Sequence, residues 1–275
     1  MSYEKNNIVI VTVVSLLFII SSAIVYFVFF FEEPLKDDVK DSIYVKVTDK
    51  DIIDELKNII INNNLIELAK HEKTIDNINT ASNEIKLNMS FSKVLKDTNY
   101  KYDDKIDATL LDSYFKDNFK DKIYFNKKDI LCSCEEKLYI YDEETNSYKY
   151  NLEHTAHPIY EAYPYYTKVL SVDKKNDIYV IKVSYIWNTY TREGYTNTGY
   201  ASYNDSIDKQ NALFEIEVPS VNYNILNNTD INVDGYAIKE IENNYELYKN
   251  KLHKYIYTFE KENDIYKLVS FKFEK

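Results

Sequence analysis

The sequence predicts an α+β protein held at a membrane, with an N-terminal transmembrane helix, then helices, then a curved antiparallel sheet. Three observations carry that expectation. Residues 8–31 form a 24-residue stretch without a charge, helical apolar spacing marks about residues 48–70 and again 107–119, and alternating apolar spacing dominates from about residue 122 onward. Helices succeeded by a run of strands imply an α+β arrangement with an antiparallel sheet.

The uncharged stretch, "IVIVTVVSLLFIISSAIVYFVFFF", rises about 1.5 Å per residue as a helix. Its length of about 36 Å crosses a hydrocarbon core of about 30 Å with some tilt. Thr12, Ser15, Ser21 and Ser22 can bond back to helix carbonyls, so their hydroxyls cost little in lipid. Cleavage of a signal peptide near Ser21-Ser22-Ala23 is the rival reading. It would leave the apolar "IVYFVFFF" as a mature N-terminus, which favours an uncleaved anchor.

The chain therefore divides into a tail (1–7), an anchor (8–31), a charged linker (32–42) and one α+β domain (43–275). Lys5 precedes the anchor while Lys36 and Lys40 come after it, which by the basic-residue count places the domain inside. Large domains translocate largely regardless of flanking charge, so the expectation is a single-pass cell-membrane protein with an extracytoplasmic domain.

The segment "TDKDIIDELKNIIINNNLIELAK" reads as helix, with Thr48 or Asp49 as N-cap and Ile52, Ile53, Leu56, Ile59 and Ile60 on one face. The run Asn62-Asn63-Asn64 breaks it, and a second helical piece continues to about Lys70. Another helix is expected from Asp107, where Leu110, Leu111, Tyr114, Phe115 and Phe119 keep helical spacing.

Tyr179, Ile181, Val183, Tyr185 and Trp187 then alternate with a less apolar set, as one strand face does. The turn "DKKND" joins this strand to "YTKVLSV". A second hairpin runs from Tyr255–Phe259 through "EKEND" and back along residues 265–273.

The C-terminal stretch "YELYKNKLHKYIYTFEKENDIYKLVSFKFEK" resembles the final helix and hairpin of NTF2-like domains, of cystatin-like shape, in membrane-anchored proteins of AT-rich, low-GC Gram-positive bacteria. "KKDILCSCEEKLYIYDEETNSYKYN" is similar to a segment of such envelope proteins. The resemblance covers roughly a fifth of the chain and implies a fold. It implies no activity, since that fold hosts enzymes, binding modules and adaptors alike.

Composition narrows the partners. The 275-residue chain carries a net charge of −11, and its basic residues are scattered among acids, which argues against nucleic acid. Its 28 Tyr stand beside 3 Gly and 1 Trp, a skew expected of an AT-rich genome, so tyrosine abundance alone does not signal a binding surface.

Candidate chemistry is sparse. Cys132 and Cys134, with His154 and His157, have pincer spacings that could hold zinc. On a strand the two cysteines would share a face and could form a strained disulfide. Glu153, His154, His157 and Glu161 could instead make an acid–base cluster, and the plainest reading is a strand pair of cysteines with exposed loop histidines.

The loop at residues 188–206 holds two of the three glycines and the only arginine. Tyr190, Tyr195, Tyr200 and Tyr203 could stack on sugars or a partner protein, with Arg192 as an anion contact. "DINVDGYAIKE" places Asp230, Asn232 and Asp234 at the first oxygen positions of a calcium loop, with Gly235 at the turn. The closing Glu is absent: position 12 is Ile241. That segment is read as a strand-to-helix turn with the option of a weakly bound calcium.

These readings point to a membrane-anchored, non-catalytic envelope domain that binds a partner protein, a glycan or a small ligand and needs no cofactor. The alternatives are a metal-dependent hydrolase at His154 and His157, and a structural adaptor stabilised by calcium.

Overall fold

The computed structural model describes residues 44–98, 100, 104–131, 135–154, 162–189, 196–217 and 233–275. The expected anchor, residues 8–31, lies outside them; among the described residues no helix is long and apolar enough to cross a membrane. Tyr44–Lys275 forms one compact unit.

The chain opens with the short strand β1 (Val45–Lys46), then α1 (Lys50–Asn62), α2 (Glu67–Lys70), a 3-10 turn (Ile78–Thr80) and α3 (Asn83–Thr98). The strand β2 (Ile106–Asp107) leads into α4 (Thr109–Asn118), then β3 (Ile130–Leu131), β4 (Lys137–Asp142) and β5 (Ser147–Tyr150). The long strands β6 (Ala162–Lys175) and β7 (Ile178–Thr189) come next, then β8 (Thr196–Tyr200), α5 (Tyr203–Asp208) and β9 (Phe214–Glu217). The chain closes with α6 (Val233–Tyr248), β10 (Lys254–Glu262) and β11 (Ile265–Glu274).

Among the described residues the strands make two antiparallel sheets where the sequence suggested one. The larger has the order β1-β6-β7-β10-β11, with the β8–β9 ribbon joined to the far end of β7; the smaller has the order β2-β5-β4-β3. The α+β class with antiparallel sheets therefore holds.

Local chemistry explains the boundaries. Asp49 caps α1 by accepting the Asp51 N–H at 2.9 Å, and the helix ends where Asn64 turns left-handed at φ 55°. Helix α4 starts at Thr109, two residues later than expected. Asp107 belongs to β2, and its carboxylate accepts both the N–H and the hydroxyl of Thr109 at 2.8 Å, so it caps the helix from outside.

The hairpin turns are shorter than the sequence suggested. In the second, only Asn263 and Asp264 lie between the strands, with φ of 49° and 66°. A two-residue type I′ turn, which matches strand twist, has positive φ at both central positions, and Asn and Asp tolerate it.

Helix α3 has no counterpart among the sequence-based expectations because its buried residues surround it. Ile85 and Met89 enter the main core, whereas Leu87, Phe91 and Val94 enter a second core with Ile106, Leu111 and Tyr148. A helix buried on two sides shows no single apolar stripe.

The main core lies between the helices and one face of the larger sheet, built from Tyr179, Ile181, Val183, Tyr185 and Trp187 with Tyr255, Tyr257, Phe259 and Phe271. On the opposite face, Ile241 and Tyr245 of α6 pack with Ile186. The outer edge of β11 is covered: Ile75 exchanges backbone bonds with Phe271 at 2.7 and 2.9 Å, and the Lys120 N–H reaches the Leu268 carbonyl at 3.1 Å. Such cover blunts strand-to-strand aggregation.

Candidate functional site

Aromatic rings fill the helix-facing side of the larger sheet. Trp187, Tyr185, Tyr255, Tyr257, Phe259 and Phe271 are all fully buried. Tyr185 and Tyr257 share a hydroxyl–hydroxyl hydrogen bond of 3.0 Å. Burial holds the phenols of Tyr185, Tyr255 and Tyr257 well above their usual range, with the Trp187 indole opposing the shift at Tyr255. These groups are neutral near pH 7 and form a core.

At the rim of this core sits a carboxylate–imidazole pair. Glu72 lies just past α2 with a left-handed backbone, φ 47°, and its Oε1 is 3.3 Å from His253 Nδ1, just ahead of β10. The Asn204 amide in α5 donates to the other carboxylate oxygen at 3.4 Å. The pair ties the turn after α2, the start of β10 and α5 together above Tyr255, whose phenol the Glu72 charge also helps keep protonated.

A second polar constellation lines a surface hollow. Three side chains, Asn79 from the 3-10 turn and Asn83 and Lys86 from the first turn of α3, grip the extended segment 122–126. Asn79 accepts the Tyr124 N–H at 2.9 Å and donates to the Lys122 carbonyl at 2.9 Å. Asn83 accepts the Asn126 N–H and donates to the Asn126 carbonyl at 2.8 Å. Lys86 Nζ donates to the carbonyls of Asn79 at 2.8 Å and Tyr124 at 3.0 Å. The three side chains thus supply the hydrogen bonds that a neighbouring strand would otherwise give.

Lys86 is only 5% exposed, and desolvation lowers its pKa. Among the described residues no carboxylate pairs with it. The adjoining hollow, about 550 Å³, is lined by Asn83, Lys86, Asp112, Lys122, Tyr124 and Asn126 among others. Asp112 is already paired with Lys127 at 2.6 Å. Tyr124 stands 66% exposed at the hollow, with the Lys122 ammonium 5.2 Å from its ring centre.

The residues that the sequence singled out are placed differently. Tyr200 is 4% exposed and paired across the ladder with Trp187, so its ring belongs to the main core and is not presented to a sugar. Tyr190, Arg192 and Tyr195 lie outside the described residues, as do Cys132, Cys134, His157 and Glu161. The His154 side chain is 2% exposed with Nε2 3.9 Å from Glu136, which corrects the picture of an exposed loop histidine.

Asp230 and Asn232 also fall outside the described residues, while Asp234 and Gly235 lie in the first turn of α6. A helical Gly235 does not make the sharp turn that the sixth position of a calcium loop requires. Among the described residues no three His, Cys, Asp or Glu side chains converge as a metal site.

Sequence reasoning alone misses Lys86, Asn79, Asn83, Glu72 and His253. Asn83 and Lys86 share one helical face by their spacing of three, but Asn79 joins them only through the fold, because the chain is extended at Ala81 between the 3-10 turn and α3. Glu72 and His253 are 181 residues apart, and only tertiary folding joins them.

Comparison of the chain with protein-family models, with characterised proteins and with solved structures finds no match. Its function has to be read from the chemistry of its own residues.

Proposed function

We propose that this chain is a membrane-anchored, non-catalytic envelope domain of NTF2-like, cystatin-like build, displayed outside the cell, that binds a partner protein, a glycan or a small ligand at its surface. The observation that supports this reading most is the aromatic filling of the sheet's helix-facing side. An enzyme of this architecture would keep room there for a substrate, with a few polar groups converging on it. Here Tyr185, Trp187, Tyr255, Tyr257, Phe259 and Phe271 occupy that room. Binding then falls to the exterior, where the hollow beside Lys86 offers aromatic and cationic groups; Tyr190, Arg192 and Tyr195 remain candidates on their sequence alone.

A hydrolase centred on His154 and His157 has less support, because the His154 ring is almost wholly enclosed. The deciding experiment uses the full chain in neutral detergent. It should co-sediment with purified cell-wall material or capture a membrane-protein partner, and it should stay in the membrane pellet after a high-pH wash. A chain that binds neither fraction, or that the wash releases, is not this kind of protein.

A further inference from the structure

We infer that the hollow between the start of α3 and the segment 122–126 is a binding site for a small carboxylate-bearing ligand, with Lys86 as the cationic anchor and the Tyr124 ring as the platform beside it. This inference rests on the ligand-binding reading above and gives it a chemical class.

The starting point is an electrostatic imbalance. An ammonium partly withdrawn from water is best satisfied where hydrogen bonds and a counter-ion replace its lost hydration. Lys86 has two acceptors, both neutral carbonyls, and no carboxylate among the described residues. An ammonium has three N–H donors, so one is left over. A ligand carboxylate supplies both the acceptor and the charge, and charge-assisted bonds of this kind are the strong ones.

The rest of the hollow fits the same ligand. The chain as a whole has a net charge of −11, yet this hollow is locally positive. Its one acidic lining residue, Asp112, is paired with Lys127, which leaves Lys86 and Lys122 without an opposing carboxylate there among the described residues. A volume of about 550 Å³ lies within the roughly 300–1,000 Å³ of small-molecule pockets.

An exposed tyrosine beside a cation suits a ring that carries the carboxylate, since one face of a sugar or aromatic ring can lie on Tyr124 while its acid group reaches inward. Asn83 and Asn126 keep spare lone pairs for hydroxyl donors. The geometry is also prepared in advance. The Asn79 and Asn83 clamps fix the backbone of residues 122–126 through the chain's own hydrogen bonds, so little ordering cost remains at binding.

The test is a thermal-shift titration of the full chain in neutral detergent, at constant ionic strength, with four probes: sodium glucuronate, sodium acetate, glucose and inorganic phosphate. Glucuronate is expected to raise the Tm most and acetate less, with glucose giving no shift. Lys86→Met should weaken the apparent glucuronate affinity by about 10-fold or more, the scale of one charge-assisted contact. Should Lys86→Met fail to fold, the surface variants Lys122→Met and Tyr124→Ala carry the test, each expected to weaken glucuronate by about 3-fold or more.

The assignment is overturned if glucuronate gives no shift, if glucose or phosphate matches it, or if the response survives unchanged in the folded variants. In those cases continued capture of cell wall or a membrane partner leaves the broader binding reading standing. Loss of both removes the two together.

Discussion

The hydroxyl groups of Tyr185 and Tyr257 meet at 3.0 Å in the middle of the main core, each serving as the other's polar partner. One donates and one accepts, so neither phenol is left unsatisfied. Removing one hydroxyl orphans the other, and a buried unpaired polar group costs about 1–3 kcal/mol. Tyr257→Phe and Tyr185→Phe should each lose stability on that scale. The double variant should cost clearly less than their sum, because no orphan remains. Urea unfolding of the four proteins measures this, and simple additivity would show that the hydroxyls are not coupled.

The same burial sets the alkaline limit of the fold. Tyr114, Tyr185, Tyr255 and Tyr257 all have phenols raised by desolvation. In the unfolded chain these groups lose their protons near pH 10, whereas the native state retains them. Above pH 10 the unfolded state binds fewer protons, so stability present below that pH is lost as it rises.

Lys86 works in the opposite direction. Its native pKa lies below 10.5, so the unfolded state binds the extra proton and stability grows as pH climbs through the native value towards 10.5. The urea midpoint tracked from pH 7 to about 11 should fall steeply past pH 10, together with the rise of phenolate absorbance. Lys86→Met should abolish the small gain that precedes the fall. A midpoint flat to pH 11 would contradict the buried tyrosines.

Gly199 in β8 lies under the Phe214 ring of β9. A Cβ at that position would come within 2.7 Å of Cζ, Cε1 and Cε2 of the ring. The ring is itself packed 5.0 Å from Tyr248 of α6, so it has little freedom to move aside. Gly199→Ala should cost about 1–3 kcal/mol, the scale of overpacking. Adding Phe214→Leu should recover part of that loss. Thermal unfolding of the single and double variants checks the pair, and a neutral Gly199→Ala would remove this account of the ribbon.

The asparagine clamp makes its own prediction. Asn79→Ala removes two side-chain bonds to the backbone of residues 122–124, each worth about 0.5–1.5 kcal/mol net, for a loss of about 1–3 kcal/mol. Asn79→Asp keeps the acceptor for the Tyr124 N–H but not the donor to the Lys122 carbonyl, so its loss should be smaller. Hydrogen exchange at the Tyr124 amide should speed up in Asn79→Ala and stay slower in Asn79→Asp. Equal protection in both variants would place the segment's stability elsewhere.

Much of the secondary structure was legible because its signal is local. The stripe of Ile52, Ile53, Leu56, Ile59 and Ile60 marks α1, and the alternation from Tyr179 to Trp187 marks β7, since each element presents one dominant apolar face. Helix α3 hid because two cores claim it from different sides, which erases the stripe. The second sheet hid for a related reason: β2 and β3 are two residues each, too short for any period to show.

The candidate sites divide in the same way. Counting aromatic residues could not separate the buried Tyr200 from the exposed Tyr124, because exposure depends on what packs over a ring. The identity of Lys86 was plain in the sequence, but its lack of a counter-ion was not, since that depends on where Asp112 spends its charge.

By itself the sequence determined the α+β class, the break after α1 at its asparagine run, and the apolar faces of α1 and β7, all from interactions within a few positions along the chain. Tertiary structure alone decided that the sheet closes on its own tyrosines, that Glu72 meets His253 across 181 residues, and that Lys86 is buried beside an open hollow. The reason is physical: burial, pairing of charges and the filling of space are properties of neighbours brought together from distant positions, and no local spacing encodes them.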